Sequence, residues 1–293
     1  MSTSDEKPPD RQGRWARYTR AEAQVGLGPR YVVSEADAAA QQAHFGVARD
    51  QIKHDFVISH VLDALAPHAD QFVFYGGTAL SRTILDGLRL SEDIDLLSVG
   101  PRKEAAAIID NALRNALERN FGIIEADPWL SQTRNDTTAC TYRIGGIPLK
   151  MQLIDGRNYT PWPRQQSEVS QRYAGLPNVT LTTYTAESFV GAKTVAWCDT
   201  SRNAPRDLYD LWALAEAGYI TAKAAAIYRH HGPSNSFPNR SAFPNTPPTE
   251  QEWTDALGHQ CILQVGPTQA YDTVVAAWVR AAKQAGCATA QDV

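Results

Sequence analysis

The chain has 293 residues, a formal net charge of −4 and a pI near 6.0, and 43% of its residues are hydrophobic. This length can bury the core of one or two domains, and the charge excludes a protein coated in basic surface, although a local basic cleft for RNA stays possible. The four cysteines form no CxxC pair and no apolar run approaches the ~20 residues of a membrane helix, so we expect a cytoplasmic protein without a zinc–thiolate site or a membrane partner.

The first half of the chain alternates helix and strand patterns after a polar arm, which is predicted to be flexible over residues 1–33. The predicted elements are, in chain order, a helix beginning after Ser34 as N-cap, a helix ending before Pro67, a strand over 72–75, a helix over 78–85, a strand over 94–99, a helix over 102–120, and a hairpin of 139–143 with 147–154 that turns at Gly145-Gly146.

The second half is predicted to be mainly helical. Residues 157–178 are rich in Pro, Gln and Arg, which indicates a connector or an exposed loop. Helices are predicted over 185–197, 205–217, 221–230, 250–258 and 268–285, with a long loop over 231–248. The expected fold is therefore α/β (α+β): a core domain over 34–156 with a small mixed sheet, and a mainly helical C-terminal domain over 157–293.

A strand–turn–helix pattern followed by two acids is the most informative stretch. The strand over 72–75 runs into Gly-Gly-Thr at 76–78, and such a turn exposes backbone N–H groups that can hold phosphate oxygens. Asp93 and Asp95 alternate with apolar residues, so both carboxylates project from one strand face, where they can bind a hard divalent cation. The same acids also fit a solvent-facing strand edge, and spacing alone leaves both interpretations open.

These residues resemble the first motif of the AbiEii/AbiGii-type nucleotidyltransferase toxins, which include MenT-like toxins and belong to the DNA polymerase β-like nucleotidyltransferase superfamily. The family pattern GGTAL…R.S.DIDL is matched at 76–80, Arg89 and 91–96. The resemblance implies that Asp93 and Asp95 are catalytic and hold Mg²⁺ or Mn²⁺. The nucleotide-binding residues that it implies are Gly76, Gly77, Thr78, Arg82, Arg89 and Lys193. For Arg82 and Arg89, an ordinary surface position is an equal alternative.

The chain departs from the superfamily pattern at the third carboxylate. The matching place is Gln152, a neutral residue and a poor Mg²⁺ ligand. Either two acids suffice, or Asp155 acts as the third metal ligand. Asp155 has the opposite strand parity to Gln152, so it would need a bulge or the strand end to join the site, and an Asp before Gly156 is also typical of a turn.

A second motif lies in the C-terminal half. Lys193, Arg202 and the run Arg206-Asp207-Leu208-Tyr209-Asp210-Leu211 resemble the family signature K…R…RDxxDL. On a helix Asp207 and Asp210 share a face, and the resemblance implies that both support catalysis while Lys193 binds phosphate. An acid near a helix N-terminus is also favourable for purely structural reasons.

The resemblance implies a toxin of a toxin–antitoxin system that transfers a nucleoside monophosphate from an NTP to an acceptor hydroxyl. For related members the acceptor is the 3′ end of tRNA, which blocks translation, and the antitoxin is a separate protein encoded nearby. Two alternatives stay open: a protein or antibiotic hydroxyl as acceptor, favoured by the acidic pI, and a catalytically inactive nucleotide-binding module, favoured by Gln152.

Overall fold

A computed structural model describes residues 31–199, 201, 205–238 and 242–286. Within these residues the helices are α1 (Glu35–Phe45), α2 (Arg49–Leu65), α3 (Gly76–Ser81), α4 (Arg102–Phe121), α5 (Ala186–Cys198), α6 (Pro205–Glu216), α7 (Ala222–His231), α8 (Glu250–Leu257) and α9 (Pro267–Gln284). The strands are β1 (Phe72–Tyr75), β2 (Asp93–Ser98), β3 (Glu125–Asp127), β4 (Cys140–Ile144), β5 (Ile147–Asp155), β6 (Arg164–Val169) and β7 (Val179–Tyr184). Residues 1–30 of the arm predicted over 1–33 lie outside the described residues.

The strands form one mixed sheet in the order β3-β4-β5-β2-β1-β7-β6. β2 pairs antiparallel with β1 and parallel with β5, while β7 runs parallel to β1 and antiparallel to β6. Phe72, Val73 and Phe74 are completely buried, because β1 lies inside the sheet with both faces covered. The mixed sheet that the sequence predicts is confirmed.

Helices cover the sheet in two groups. α2 and α4 pack on each other and against β5, and α5 contacts β7. The remaining C-terminal helices extend from α5, since α6 and α7 pack against it and α9 packs against both. None of the helices in the described part of the chain is long and apolar enough to cross a membrane.

Several local predictions are confirmed by the hydrogen bonds that begin or end each element. The Ser34 and Thr185 side chains accept from backbone N–H groups three residues on and so cap α1 and α5. β4 and β5 form the predicted hairpin, in which Gly145 (φ +58°) and Gly146 (φ +83°) adopt the left-handed conformations of a tight two-residue turn.

Two local predictions are wrong. Residues 157–178 are not simply a connector, because they contain β6, which continues the sheet beyond residue 156. The helix predicted over 78–85 is shorter and earlier, since α3 spans Gly76–Ser81 and turns follow it. The division of the chain into two domains stays a prediction, but the sheet takes strands from both of its halves.

Candidate active site

A cleft of about 410 Å³ lies where the β1–α3 turn, β2, β5 and β7 meet α5 and α6. Its charged lining residues are Arg89, Asp93, Asp95, Lys193, Arg206 and Asp207. The aromatic and aliphatic lining residues are Tyr75, Ile154, Tyr159, Tyr184, Phe189, Ala192 and Ala196, and Gly76, Gly77, Ser91 and Gln152 complete it. The structure thus brings together residues of both sequence motifs, although more than 100 positions separate Asp93 from Asp207.

The two glycines of the turn are fixed by their neighbours in the cleft. Gly76 has φ +78°, a conformation that glycine adopts without strain, and a Cβ built on it would overlap Asp95 Oδ2. A Cβ on Gly77 would lie 3.0 Å from Arg89 Nη2 and 3.1 Å from Ser91 Oγ. The backbone therefore approaches Asp95 and Arg89 as closely as only glycine allows. Contact of this turn with a triphosphate stays a prediction.

Strand parity places the paired acids on the cleft side of β2. Asp93 and Asp95 are half-buried, whereas Ile94 and Leu96 between and after them are completely buried on the opposite face. The register pairs Asp95 with Gln152 of β5, so Gln152 occupies the place next to the acids. Its Nε2 donates to the carbonyl of Thr137 at 2.7 Å, which ties this amide to the loop before β4.

Asp155 does not join the acids, and the prediction of a third metal ligand at this position is corrected. It pairs with Ser98 at the far end of β2 and shares the parity of Leu153, whose side chain is buried on the other face of the sheet. Its carboxylate accepts from Arg157 Nε at 2.9 Å and from Arg157 Nη2 at 2.6 Å. Asp155 therefore closes the turn after β5.

The donor set at the cleft fits a divalent cation that takes two protein carboxylates. Among the described residues, no group of three or more His, Cys, Asp and Glu side chains is placed to hold a metal. Mg²⁺ commonly keeps several waters and completes its shell with substrate phosphates, so Asp93 and Asp95 can suffice. Nothing in this donor set favours zinc or another thiolate-binding metal.

Lys193 projects from α5 into the cleft and is held by two acids of α6. Its Nζ lies 2.8 Å from Asp207 Oδ1 and 2.7 Å from Asp210 Oδ2. Asp207 and Asp210 are three residues apart and share one face of the helix, as predicted. Burial lowers the pKa of Lys193, but the carboxylates of Asp207 and Asp210 outweigh this effect and hold the pKa above its usual range. The lysine is therefore an ammonium group and not a base.

Arg89 completes this group, which we call the Lys193 cluster: Arg89, Lys193, Asp207 and Asp210. Arg89 holds the Asp210 carboxylate with a fork, Nε at 2.7 Å and Nη2 at 2.8 Å. Burial raises the pKa of Asp210, yet Arg89 and Lys193 together lower it to about 2. Asp210 is buried behind the cleft rather than in its lining. Asp210 therefore contacts Lys193 and Arg89 and not the open cleft.

Comparison with known proteins agrees with this geometry. The family model for the nucleotidyl transferase AbiEii toxin of type IV toxin–antitoxin systems matches residues 60–275, which is most of the chain and both motifs. This chain belongs to the AbiEii family of nucleotidyltransferase toxins. It is a transferase enzyme of the type IV toxin–antitoxin class. The match extends the resemblance beyond the two sequence motifs into α8 and α9.

The solved structure of one toxin supports the fold. MenT4, a nucleotidyltransferase toxin from Mycobacterium tuberculosis H37Rv, is 19% identical over 89% of this chain and 91% of its own, with a TM-score of 0.54. An antigenic nucleotidyltransferase-like protein from Paracoccidioides brasiliensis is 17% identical over 56% of this chain and 76% of its own, with a TM-score of 0.36. No curated protein sequence matches this AbiEii chain.

Two residues that the AbiEii resemblance suggested for the nucleotide lie elsewhere. Arg82 is completely buried away from the cleft lining, and its Nη2 donates to Asp55 Oδ1 at 2.7 Å. Thr78 is buried as well, and its hydroxyl donates to the carbonyl of Asp93, which fixes α3 against β2. The structure therefore corrects both expectations: Arg82 and Thr78 hold the frame of the site.

Arg82 belongs to a second group of buried charges in this toxin, the Asp55 cluster: Asp55, Arg82, Arg172 and Tyr173. Asp55 Oδ1 also accepts from Arg172 Nη1 at 3.0 Å, and Tyr173 donates its hydroxyl to Asp55 Oδ2 at 2.9 Å. Burial raises the pKa of Asp55, but Arg82 and Arg172 outweigh it and the pKa is lowered overall. This cluster joins α2, the end of α3 and the segment between β6 and β7.

The cleft also contains residues that the sequence motifs did not single out. They are Tyr75, Ile154, Tyr159, Tyr184, Phe189, Ala192 and Ala196, while Ser91 and Arg206 belong to the two motifs but had no role assigned to them. The motif RDxxDL includes Arg206, and the spacing of 189, 192, 193 and 196 is that of one helix face, so part of this signal was in the sequence. Arg202 of the second motif lies outside the described residues.

Proposed function

We propose that this toxin transfers a nucleoside monophosphate from an NTP to the 3′ end of tRNA with the help of Mg²⁺ or Mn²⁺, and that this modification blocks translation. The observation that carries the proposal is the meeting of Asp93 and Asp95 with Lys193 in one cleft. Two carboxylates for a cation and a lysine for phosphate are what nucleotidyl transfer requires of a protein. The family membership supports the same chemistry.

The acids and the lysine of the cleft have distinct roles in this proposal. Asp93 and Asp95 hold the cation through oxygen ligands. When bound, it neutralises the phosphates and lowers the pKa of the attacking hydroxyl. Lys193 has three N–H donors, and two of them point to Asp207 and Asp210, which leaves one for a phosphate oxygen. The two carboxylates thereby aim the ammonium group.

The geometry of the turn supports the same arrangement. Gly76 and Gly77 bring the backbone close to Asp95 without a side chain in the way, so a triphosphate can approach the two acids from this side. Arg89 lines the cleft, but Asp210 occupies its fork. We therefore propose that Arg89 fixes the position of Asp210, and through Asp210 that of Lys193. Its guanidinium group does not bind the nucleotide in a bidentate manner.

The decisive experiment is label transfer from each of the four NTPs to total tRNA in the presence of Mg²⁺. We expect labelled tRNA with the native chain and at least a hundredfold less with Asp95→Ala or Lys193→Ala, because the first removes a ligand of the cation and the second removes a positive charge that faces the phosphates. Asp155→Asn is the matched control, since this acid lies outside the cleft, and it should transfer normally.

The outcomes separate the alternatives. The net charge of −4 favours an acceptor other than RNA, because RNA phosphates are repelled by an acidic protein. Label on a protein or an antibiotic but not on tRNA would establish that acceptor and remove the tRNA proposal. Absence of any transfer with Mg²⁺ and with Mn²⁺ would favour the inactive nucleotide-binding module that Gln152 suggested.

Expression in cells tests the toxic role. The native chain should arrest growth, and co-expression of an antitoxin encoded next to it should restore growth. Asp95→Ala should be harmless at an equal protein level, since it keeps the fold but loses a metal ligand. Equal toxicity of the native and Asp95→Ala chains would show that toxicity does not depend on nucleotidyl transfer.

A further inference from the structure

Strand β5 lies next to the two acids of β2 but brings no carboxylate to them. The register pairs Asp93 with Lys150 and Asp95 with Gln152, and residues paired in neighbouring strands lie on one face of the sheet, about 5 Å apart. Lys150 is an exposed cation, and Gln152 carries a neutral amide. Asp93 and Asp95 therefore gain no third negative charge from the strand beside them.

The amide of Gln152 is held in one orientation. Its Nε2 donates to the carbonyl of Thr137 at 2.7 Å, and a carbonyl can only accept, so the amide nitrogen faces the loop before β4. Thr137 is held in turn by Asn135, whose Oδ1 accepts from the Thr137 backbone N–H at 3.0 Å and from its hydroxyl at 2.8 Å. Gln152 lines the cleft, so it contributes a fixed side chain without charge beside Asp95.

The other acids at the cleft are paired with cations of the protein. Asp207 Oδ1 lies 2.8 Å from Lys193 Nζ, and Asp210 is held by both Lys193 and Arg89. The Lys193 cluster contains two cations and two acids, so it adds no net negative charge to the cleft. Within the described part of the chain, the lining carboxylates that this cluster does not neutralise are those of the two acids of β2.

Two carboxylates limit the number of divalent cations that the cleft can hold. In two-metal sites the ions lie about 3.5–4 Å apart, and shared carboxylate ligands offset their mutual repulsion. One divalent cation balances the charges of Asp93 and Asp95. A second ion would meet a neutral amide at Gln152 and a positive charge at Lys150 on the neighbouring strand.

We propose that Gln152 sets the number of cations in this cleft: the chain binds one divalent cation at Asp93 and Asp95, and a carboxylate in place of Gln152 would admit a second. This inference rests on the proposed function, because it concerns the cation of that reaction. Gln152 is then a specificity-determining residue for the metal, and its neutral side chain is compatible with an active cleft.

Titration of the full-length protein with Mn²⁺ alone tests this proposal without nucleotide or turnover. The electron paramagnetic resonance signal of free Mn²⁺ falls as the ion binds, so the titration counts the ions that each chain holds. We expect one Mn²⁺ for the native chain. Gln152→Glu should hold two and should bind the first by about tenfold or more tighter, because it adds a negative charge next to Asp95.

Gln269→Glu is the matched control, because it adds the same charge at an exposed position of α9, outside the cleft lining, and should bind Mn²⁺ as the native chain does. The inference is overturned if the native chain holds two ions or none, if a folded Gln152→Glu chain still holds only one, or if Gln269→Glu gains an ion equally.

The native count keeps the test decisive if Gln152→Glu does not fold. Asp95→Asn should then lose the single ion of the native chain, because it removes the charge of one ligand, and an unchanged count would overturn the inference. One Mn²⁺ that depends on Asp95, without label transfer to any acceptor, would support this inference while removing the proposed reaction.

Discussion

The Lys193 cluster and the Asp55 cluster are built from similar side chains but lie in different surroundings. Each contains two cations that share buried carboxylate oxygens at 2.7–3.0 Å. The Lys193 cluster contains two cations and two acids, whereas the Asp55 cluster has two arginines on one acid. Only the first borders the cleft, through Arg89, Lys193 and Asp207.

This difference shows that burial and ion pairing do not by themselves identify an active site. Arg82 and Arg89 are equally buried and both grip an aspartate, yet they have different neighbours. Arg82 also donates to backbone carbonyls of Asp55 and Ser170 and so joins distant segments. The open space next to Lys193 distinguishes a cluster that can meet a substrate from a cluster that only holds the fold.

Loss of the acid in the Asp55 cluster should have the largest effect. Asp55→Ala leaves Arg82 buried without its counter-charge and Arg172 with only the half-exposed Asp86 at 3.5 Å, and we expect the free energy of unfolding to fall by about 3–5 kcal/mol. Denaturant unfolding measures this loss. Asp50→Ala on the same helix is the control, because its side chain is 90% exposed, and it should leave stability nearly unchanged. A loss similar to the control would show that the cluster does not stabilise the fold.

Removal of one cation from each cluster should separate the effect on activity from the effect on stability. Lys193→Met should reduce label transfer at least a hundredfold, about 3 kcal/mol in the barrier, while the protein stays folded because Arg89 still neutralises Asp210. Arg82→Met should do the reverse, lowering stability with normal transfer per folded molecule. Rates normalised to the folded fraction test both. A normal rate for Lys193→Met would contradict the assignment of this cluster to the active site.

The smallest predicted effect is a difference in acid sensitivity. The folded-state pKa of Asp210 is about 2, below its ordinary value, so its contribution to stability is complete above about pH 4 and is lost as the pH falls towards 2. The shift corresponds to about 2 kcal/mol. In unfolding measurements from pH 5 to pH 2.5, Asp210→Asn should therefore lose less stability than the native chain. An identical slope for both proteins would show that Asp210 is not held ionised by Arg89 and Lys193.

Local signals in the sequence were enough to predict most elements. Side-chain caps such as Ser34 and Thr185 and the Gly145-Gly146 turn act over a few residues, so they can be read directly. β6 was missed because it is an edge strand, whose polar, outward-facing residues look like a loop. β7 did show a signal, the alternation of buried Val179 and Leu181 with Thr.

For the site, the sequence predicted well which residues are important. It predicted poorly what each of these residues contacts. Asp93, Asp95 and Lys193 were found from motifs, and the structure places all three in the cleft. Arg82 and Arg89 could not be told apart, because their partners Asp55 and Asp210 lie 27 and 121 residues away. Tyr184, which also lines the cleft, belongs to neither motif. Its position follows only from the pairing of β7 with β1, a long-range contact that no local pattern encodes.

The wide spacing of the cleft residues has a consequence for synthesis of the chain. Asp93 and Asp95 are synthesised long before Lys193 and Asp207. β1 can pair with β7 only after β7, more than 100 residues further along the chain, has also been made. A nascent chain that ends before α5 therefore has the two acids without Lys193, and one that ends before α6 has Lys193 without the two carboxylates that orient it. The cleft and the carboxylates that orient Lys193 can therefore assemble only after the chain has been synthesised through Asp210 of α6, late relative to the two acids of β2.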